Sequence, residues 1–129
     1  MSIDAFADFR MDKHVAIITG GAQNIGAGVA RTFSGAGAKV MIADLNGEKA
    51  KATAAAIAAE TGKDVIGIGC NVTVEADIAA CVAATVKAFG GVSTLVNNVG
   101  WGAANDDPLS VSVEAMVESY KLNTLSAMR

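Results

Sequence analysis

The run Thr19-Gly20-Gly21-Ala22-Gln23-Asn24-Ile25-Gly26 follows a short apolar stretch, residues 15–18, and precedes a helical pattern. Strand, tight glycine turn and helix is the arrangement in which backbone amides hold a phosphate. Glycine there allows close backbone approach and tolerates positive φ. The helix that follows turns free N–H groups and the positive end of its dipole toward an anion. The next apolar stretch, 39–43, ends in Asp44, whose carboxylate can accept hydrogen bonds from an adenosine ribose. A Walker-type phosphate loop is excluded, because no Lys-Ser or Lys-Thr follows the last glycine. The spacing also differs from the common Gly-x-Gly-x-x-Gly turn.

These residues need elements to position them. Strands are expected at 15–19, 39–43, 65–70 and 94–97. Helices are expected from about Ile25 to the glycines near 35, from an Asn46 cap to Gly62, from a Thr73 cap to Gly90-Gly91, and from about Ser112 to the end. Strands alternating with helices predict an α/β fold with a parallel sheet covered on both faces. Gly67 and Gly69 within the third strand predict close packing against a helix or ligand. Val113, Met116, Val117 and Tyr120 recur at helical spacing and form one apolar face. The Ala-rich run 52–59 is read as helix, since Ala is the best helix former.

The chain has 129 residues, 52% of them hydrophobic, enough for one domain and one core. A net charge of -3 and the lack of a Lys/Arg cluster argue against nucleic acid as a partner. No apolar stretch reaches the roughly 20 residues of a membrane helix. The first residues carry acids where a signal peptide carries bases, so a cytoplasmic location is expected. They read as a surface arm whose Phe6 and Phe9 dock on the domain or on a neighbouring subunit. Cys70 and Cys81 are too few for a disulfide framework and read as small buried apolar residues. His14 lies at the entry to the first strand without a partner nearby in sequence, so no metal site is expected. Asp106 and Asp107 precede Pro108 in a polar stretch and read as a solvated loop. Trp101 either lines a ligand cleft or packs against the last helix.

The glycine turn resembles the Thr-Gly-x-x-x-Gly-x-Gly signature of the short-chain dehydrogenase/reductase family. Thr19, Gly20 and Gly26 match; Asn24 stands where the family has glycine, and Asn tolerates the left-handed conformation better than other side chains. Asn97-Asn98-Val99-Gly100 resembles the family's Asn-Asn-Ala-Gly, whose amides tie the sheet together and whose backbone lies beside the adenosine. Asn71-Val72 resembles the Asp-Val step that contacts the adenine amino group, with a neutral amide in place of the acid. Tyr120-Lys121-Leu122-Asn123-Thr124 resembles the segment holding the family's catalytic Asn, which sits at a helix kink and holds a water in a proton relay.

The resemblance runs from about Met11 to Arg129. It implies a doubly wound fold of the Rossmann type, of which this chain spans the first four strands and their helices. It also implies a nicotinamide cofactor and interconversion of a secondary alcohol and a ketone by hydride transfer. The cofactor-binding residues it implies are Gly20, Gln23, Asn24, Ile25, Gly26, Asp44, Leu45, Asn71, Val72, Asn98, Val99 and Gly100. Asn123 is the implied catalytic residue. Residues 99–104 and their spacing to Asn123 resemble bacterial hydroxysteroid dehydrogenases, the 7α-specific kind in particular. Acyl-carrier-protein ketoreductases and sugar dehydrogenases share the same motifs.

NAD is expected rather than NADP. Asp44 can pair with both ribose hydroxyls and repels a 2′-phosphate. Lys39 and Lys49 do not fall where NADP-preferring relatives place a basic residue. The family's chemistry also needs a Tyr-x-x-x-Lys pair and a Ser. Tyr120 is the sole tyrosine, and Lys121 beside it cannot share its helix face. The expectation is therefore that residues 1–129 are the cofactor-binding N-terminal portion of an enzyme, with the catalytic C-terminal half outside this chain. The intact protein is expected to be a homo-oligomer, a dimer or tetramer. The alternative is a non-catalytic nucleotide-binding or interaction module, if these residues are the whole protein.

Overall fold

The structure, a computed structural model, describes residues 7–101 and 110–129. Phe6 of the N-terminal arm, Asp106, Asp107, Pro108 and residues 102–104 lie outside the described residues. Strands β1 (Val15–Thr19), β2 (Lys39–Asp44), β3 (Val65–Gly69) and β4 (Thr94–Val96) alternate with helices α1 (Asn24–Gly35), α2 (Gly47–Thr61), α3 (Glu75–Phe89) and α4 (Val113–Tyr120). A π-helical turn, Lys121–Leu125, and one more α-helical turn, Ser126–Met128, continue α4.

The strands form one parallel sheet in the order β3-β2-β1-β4. Ile17 of β1 lies in register with Met41 of β2 and Leu95 of β4. The chain steps outward from β1 to β3, then returns across β1 to place β4 on its other side. The loops after β1 and β4 therefore leave in opposite directions, and a crevice opens at that switch point.

Alternate residues of the strands feed two cores, as the twofold period of a strand requires. Ile18, Val40, Ile42 and Val65 pack with Ala30, Ala50, Ala54 and Ile57 beneath α1 and α2. Ile17, Met41 and Ala43 pack with Cys70, Val72 and Cys81 beneath α3, with Leu122 partly buried against them. Burying each large aliphatic side chain contributes about 1.5–3 kcal/mol. The continuous apolar run of β2 is explained by this burial on both faces.

The third-strand glycines act as expected. A Cβ on Gly67 would stand 2.3 Å from the Ala50 backbone, so α2 lies directly on β3. Asn46 caps α2 by accepting from the Lys49 N–H at 3.0 Å, and Gly62 ends it in the left-handed conformation with φ 66°. The Thr73 cap is not formed. Val74 holds the N-cap position of α3 and makes no side-chain cap bond. The Thr73 hydroxyl donates instead to Asn71 Oδ1 at 2.7 Å, and Asp77 turns back to accept from the Asn71 N–H at 2.9 Å. An Asx turn thus replaces the hydroxyl cap.

The last helix starts with Ser112, whose hydroxyl accepts from the Ala115 N–H at 3.1 Å. Its apolar residues do not reach a core: Val113, Met116, Val117 and Tyr120 are all exposed. Phe9 is exposed as well. His14 Nδ1 lies 3.3 Å from Ser93 Oγ and from Thr94 Oγ1, joining the starts of β1 and β4. Among the described residues no group of three or more His, Cys, Asp or Glu could hold a metal, and no helix is long and apolar enough to cross a membrane.

Candidate functional site

Two hydrogen-bonding centres hold the crevice open. The first is Thr19, at the end of β1. Its hydroxyl donates to the Val96 carbonyl at 3.3 Å and accepts from the Asn98 N–H at 3.1 Å. The Asn98 amide returns the link, donating to the carbonyls of Thr19 at 3.0 Å and Gly20 at 3.1 Å. These bonds clamp the end of β4 to the glycine turn.

The second is Asp44, at the end of β2. One carboxylate oxygen accepts from the Ala22 N–H at 3.1 Å, the other from the Asn46 N–H at 3.0 Å. The carboxylate thus joins the glycine turn to the start of α2 and stays only part-buried. Thr53, from within α2, adds a bond to the Ala22 carbonyl at 2.8 Å.

The turn between these centres depends on backbone conformations that most residues avoid. Gly20 has φ 63°, and Asn24 has φ 49°, the one non-glycine residue with positive φ among those described. Asn24 therefore adopts the left-handed conformation that glycine would supply. Gly26 is required by space: a Cβ there would lie 2.2 Å from the Gly20 carbonyl oxygen and 2.7 Å from Asn98 Nδ2. The glycine lets α1 start directly against the turn. Gln23, the N-cap residue of α1, makes no side-chain cap bond, and no acid stands in the first turn. The helix N-terminus is left open to an anion.

The resulting cleft has a volume of about 320 Å³. Gly20, Gln23, Asn24, Ile25 and Gly26 form one wall, Asp44 and Leu45 a second, and Asn98, Val99 and Gly100 the third. Ile25 and Leu45 are 76% and 77% exposed, so both present apolar surface at the mouth. Ten of the twelve residues named from sequence as cofactor-binding thus line one cleft.

Asn71 and Val72 are not brought into this cleft. Asn71 Oδ1 is engaged by the Thr73 N–H and hydroxyl. Val72 lines a second, apolar cavity of about 180 Å³ under α3, beside Cys70, Cys81, Leu95 and Asn97. Burial pushes the Cys70 thiol up to about 11, helped by the neighbouring Cys81 and Asp77, and raises Cys81 as well. The two thiols are neutral packing groups.

Asn123 lies within the π-helical turn. Its amide brackets Trp101, accepting from the Trp101 N–H at 2.9 Å and donating to the Trp101 carbonyl at 2.7 Å. It also donates to the Ser119 carbonyl at 2.9 Å. Asn123 therefore fixes the backbone just after Gly100, at the rim of the cleft. The Trp101 side chain is 59% exposed, and only its backbone is tied to the last helix.

Lys49 carries no role in the sequence pattern, but the structure brings it to the site. Its ammonium donates to the Gln23 side-chain oxygen. A shallower depression shares Gln23, Asp44 and Leu45 with the cleft and adds Asn46, Gly47 and Glu48. The Asn46 cap was the available signal, because it fixes Lys49 in the first turn of α2, facing the glycine turn.

Comparison with known proteins agrees with this architecture. The family profile described as short chain dehydrogenase matches residues 14–129. The 4-formylbenzenesulfonate dehydrogenase of Comamonas testosteroni is 40% identical over 116 residues, which cover 90% of this chain and 46% of that protein. The 7α-hydroxysteroid dehydrogenase of Escherichia coli K12 is 32% identical over 119 residues, 92% of this chain and 46% of that protein. A crystal structure of hydroxysteroid dehydrogenase from Escherichia coli superposes with a TM-score of 0.86 at 31% identity, covering 95% of this chain and 51% of that one. The chain spans about half the length of the relatives it matches. With a glycine turn, a clamp at the end of β4 and a sheet that all follow the family's order, the chain belongs to the short-chain dehydrogenase family.

Proposed function

We propose that this chain is the dinucleotide-binding half of an enzyme that interconverts a secondary alcohol and a ketone, with NAD preferred over NADP. The observation that carries the reading is the pairing across one cleft of an uncapped α1 N-terminus with the Asp44 carboxylate. An anion is favoured at the first and hydroxyl donors at the second. A dinucleotide offers a pyrophosphate and an adenosine ribose, and NAD has both ribose hydroxyls free.

The residues present fit such a cofactor. Gly20, Asn24 and Gly26 keep the turn compact, which would let a pyrophosphate approach the backbone N–H groups at the start of α1. Asp44 orients the ribose end. Asn98 holds Val99 and Gly100 against the glycine turn. Asn123 acts as a positioning residue, by holding the Trp101 backbone that follows Gly100. The bound nicotinamide would supply the hydride chemistry. A Tyr-x-x-x-Lys pair and a substrate-orienting Ser are assigned to the remainder of the protein, because Tyr120 has Thr124 at that spacing.

The named relatives act on chemically different compounds, among them an aromatic sulfonate and a steroid. A hydroxysteroid remains a proposed substrate on the structural likeness. The exposed Val113, Met116, Val117 and Tyr120 support a homo-oligomer formed through the last helix. A cytoplasmic location is part of the same proposal.

Equilibrium titration of the protein with NAD and NADP tests the cofactor half of the reading. Saturable binding with NAD the tighter ligand is expected. Appearance of NADH absorbance with secondary alcohols, hydroxysteroids included, tests the activity. Nucleotide binding without any hydride transfer would favour a non-catalytic module instead.

A further inference from the structure

We infer that Lys49 sets how strongly the cleft rejects a 2′-phosphorylated cofactor. This inference rests on the assignment of Asp44 to the adenosine ribose. By itself, a carboxylate at that position excludes the dianionic 2′-phosphate through like-charge repulsion. The structure adds a cation to the same place. Lys49 donates to Gln23, and Gln23 and Asp44 line the same depression at the cleft mouth.

The neighbouring lysine of α2 is neutralised: Lys51 pairs with Glu48 at 2.8 Å. Lys49 is held by a neutral amide, and among the described residues no carboxylate pairs with it. Its charge is therefore available to a ligand. Glu48, the remaining acid on that rim, is engaged by Lys51. Asp44 has both oxygens on backbone N–H groups, so it cannot swing away from a phosphate. Rejection of the phosphate is thus moderated by a neighbouring ammonium rather than by movement of the acid. The Gln23 side chain is the tether that keeps the ammonium at the mouth.

The test is the ratio of dissociation constants for NADP and NAD, measured by calorimetry on the protein that carries this chain. Wild type, Lys49→Gln and Lys49→Arg are compared, with Lys87→Gln on α3 as a distant charge control. Lys49→Gln should weaken NADP about fivefold at low ionic strength and leave NAD within twofold. Lys49→Arg should restore the wild-type ratio, and Lys87→Gln should not move it. Added salt should shrink the difference between wild type and Lys49→Gln. Measurable NAD binding with an unchanged ratio in Lys49→Gln would overturn the role of Lys49 alone. So would a wild-type protein that binds NAD and shows no NADP binding at all. A protein that binds neither nucleotide would overturn the cofactor assignment and this inference together.

Discussion

Replacing Asp44 with Ala separates the two tasks of its carboxylate. In the free protein it accepts from the Ala22 and Asn46 N–H groups at 3.1 and 3.0 Å. In the proposed dinucleotide complex, its remaining lone pairs would accept from the ribose hydroxyls. A hydrogen bond to a charged group contributes about 1.5–3 kcal/mol, with the lower end appropriate to a part-buried carboxylate. Losing two such bonds should cost about 3 kcal/mol of binding, a rise of roughly 150-fold in the NAD dissociation constant. NADP should lose far less, because the like-charge repulsion disappears with the carboxylate. The same change releases the Ala22 and Asn46 amides, which should lower unfolding stability by about 1–3 kcal/mol. Calorimetric titration with both nucleotides, run well below the melting point of the variant, reads the first effect; urea denaturation reads the second. Asp44→Asn keeps the shape and one acceptor, so its NAD affinity should fall between the two. A folded Asp44→Ala protein that binds NAD within twofold of wild type would refute the assignment of Asp44 to the ribose.

Other expectations follow from the same geometry. Gly26→Ala places a methyl 2.2 Å from the Gly20 carbonyl oxygen, so it should abolish nucleotide binding and destabilise the fold by more than about 3 kcal/mol. Gly28→Ala, two helical positions further on with nothing within 4 Å, should instead stabilise by about 0.5–1 kcal/mol in thermal melts. Asn98→Ala removes the donors to the Thr19 and Gly20 carbonyls and should lower unfolding stability by about 2–4 kcal/mol in urea titrations, with weaker NAD binding. The Cys70 thiol is raised in the folded protein, so its contribution to stability is complete below the ordinary thiol value of about 8.5 and is lost as pH climbs through about 11. Over that window, the unfolding free energy from denaturant titrations should fall by about 1 kcal/mol per pH unit, and Cys70→Ser should flatten the slope.

Much of the cleft was legible because its key residues follow from local rules. Strand followed by glycine turn predicts where backbone N–H groups collect, and Asn24 at positive φ bears out the tolerance argued for Asn at a glycine position. Asn98 bridging to Thr19 and Gly20 fits the tying role its motif implies. Local reasoning failed where a side chain had several partners to choose from. Thr73 had the residue type and position of a cap, yet Asn71, two residues earlier, captured its hydroxyl. The π-helical turn around Asn123 left no mark on the hydrophobic period, because an inserted residue shifts the helix face only locally. Lys49 and Gln23 lie 26 positions apart, and their meeting depends on how α2 is set against the glycine turn.

The clamp between β4 and the glycine turn also dictates an order of assembly. Thr19 and Asn98 are 79 positions apart, so their bonds close a long loop across the cleft. β1, α1, β2, α2 and β3 are joined by short connections and can collapse as a local unit. β4 must then arrive over the whole α3 crossover, an ordering step whose entropy cost grows with loop length. On a nascent chain, the residues around Gly20 and Asp44 would be exposed well before their third wall, Asn98–Gly100, had been synthesised. Nucleotide affinity should therefore appear abruptly when the chain lengthens past residue 100, rather than building up in stages. A ligand seated in the cleft would in turn lock β4 to β1, so that its binding energy is spent at the last-formed seam of the sheet.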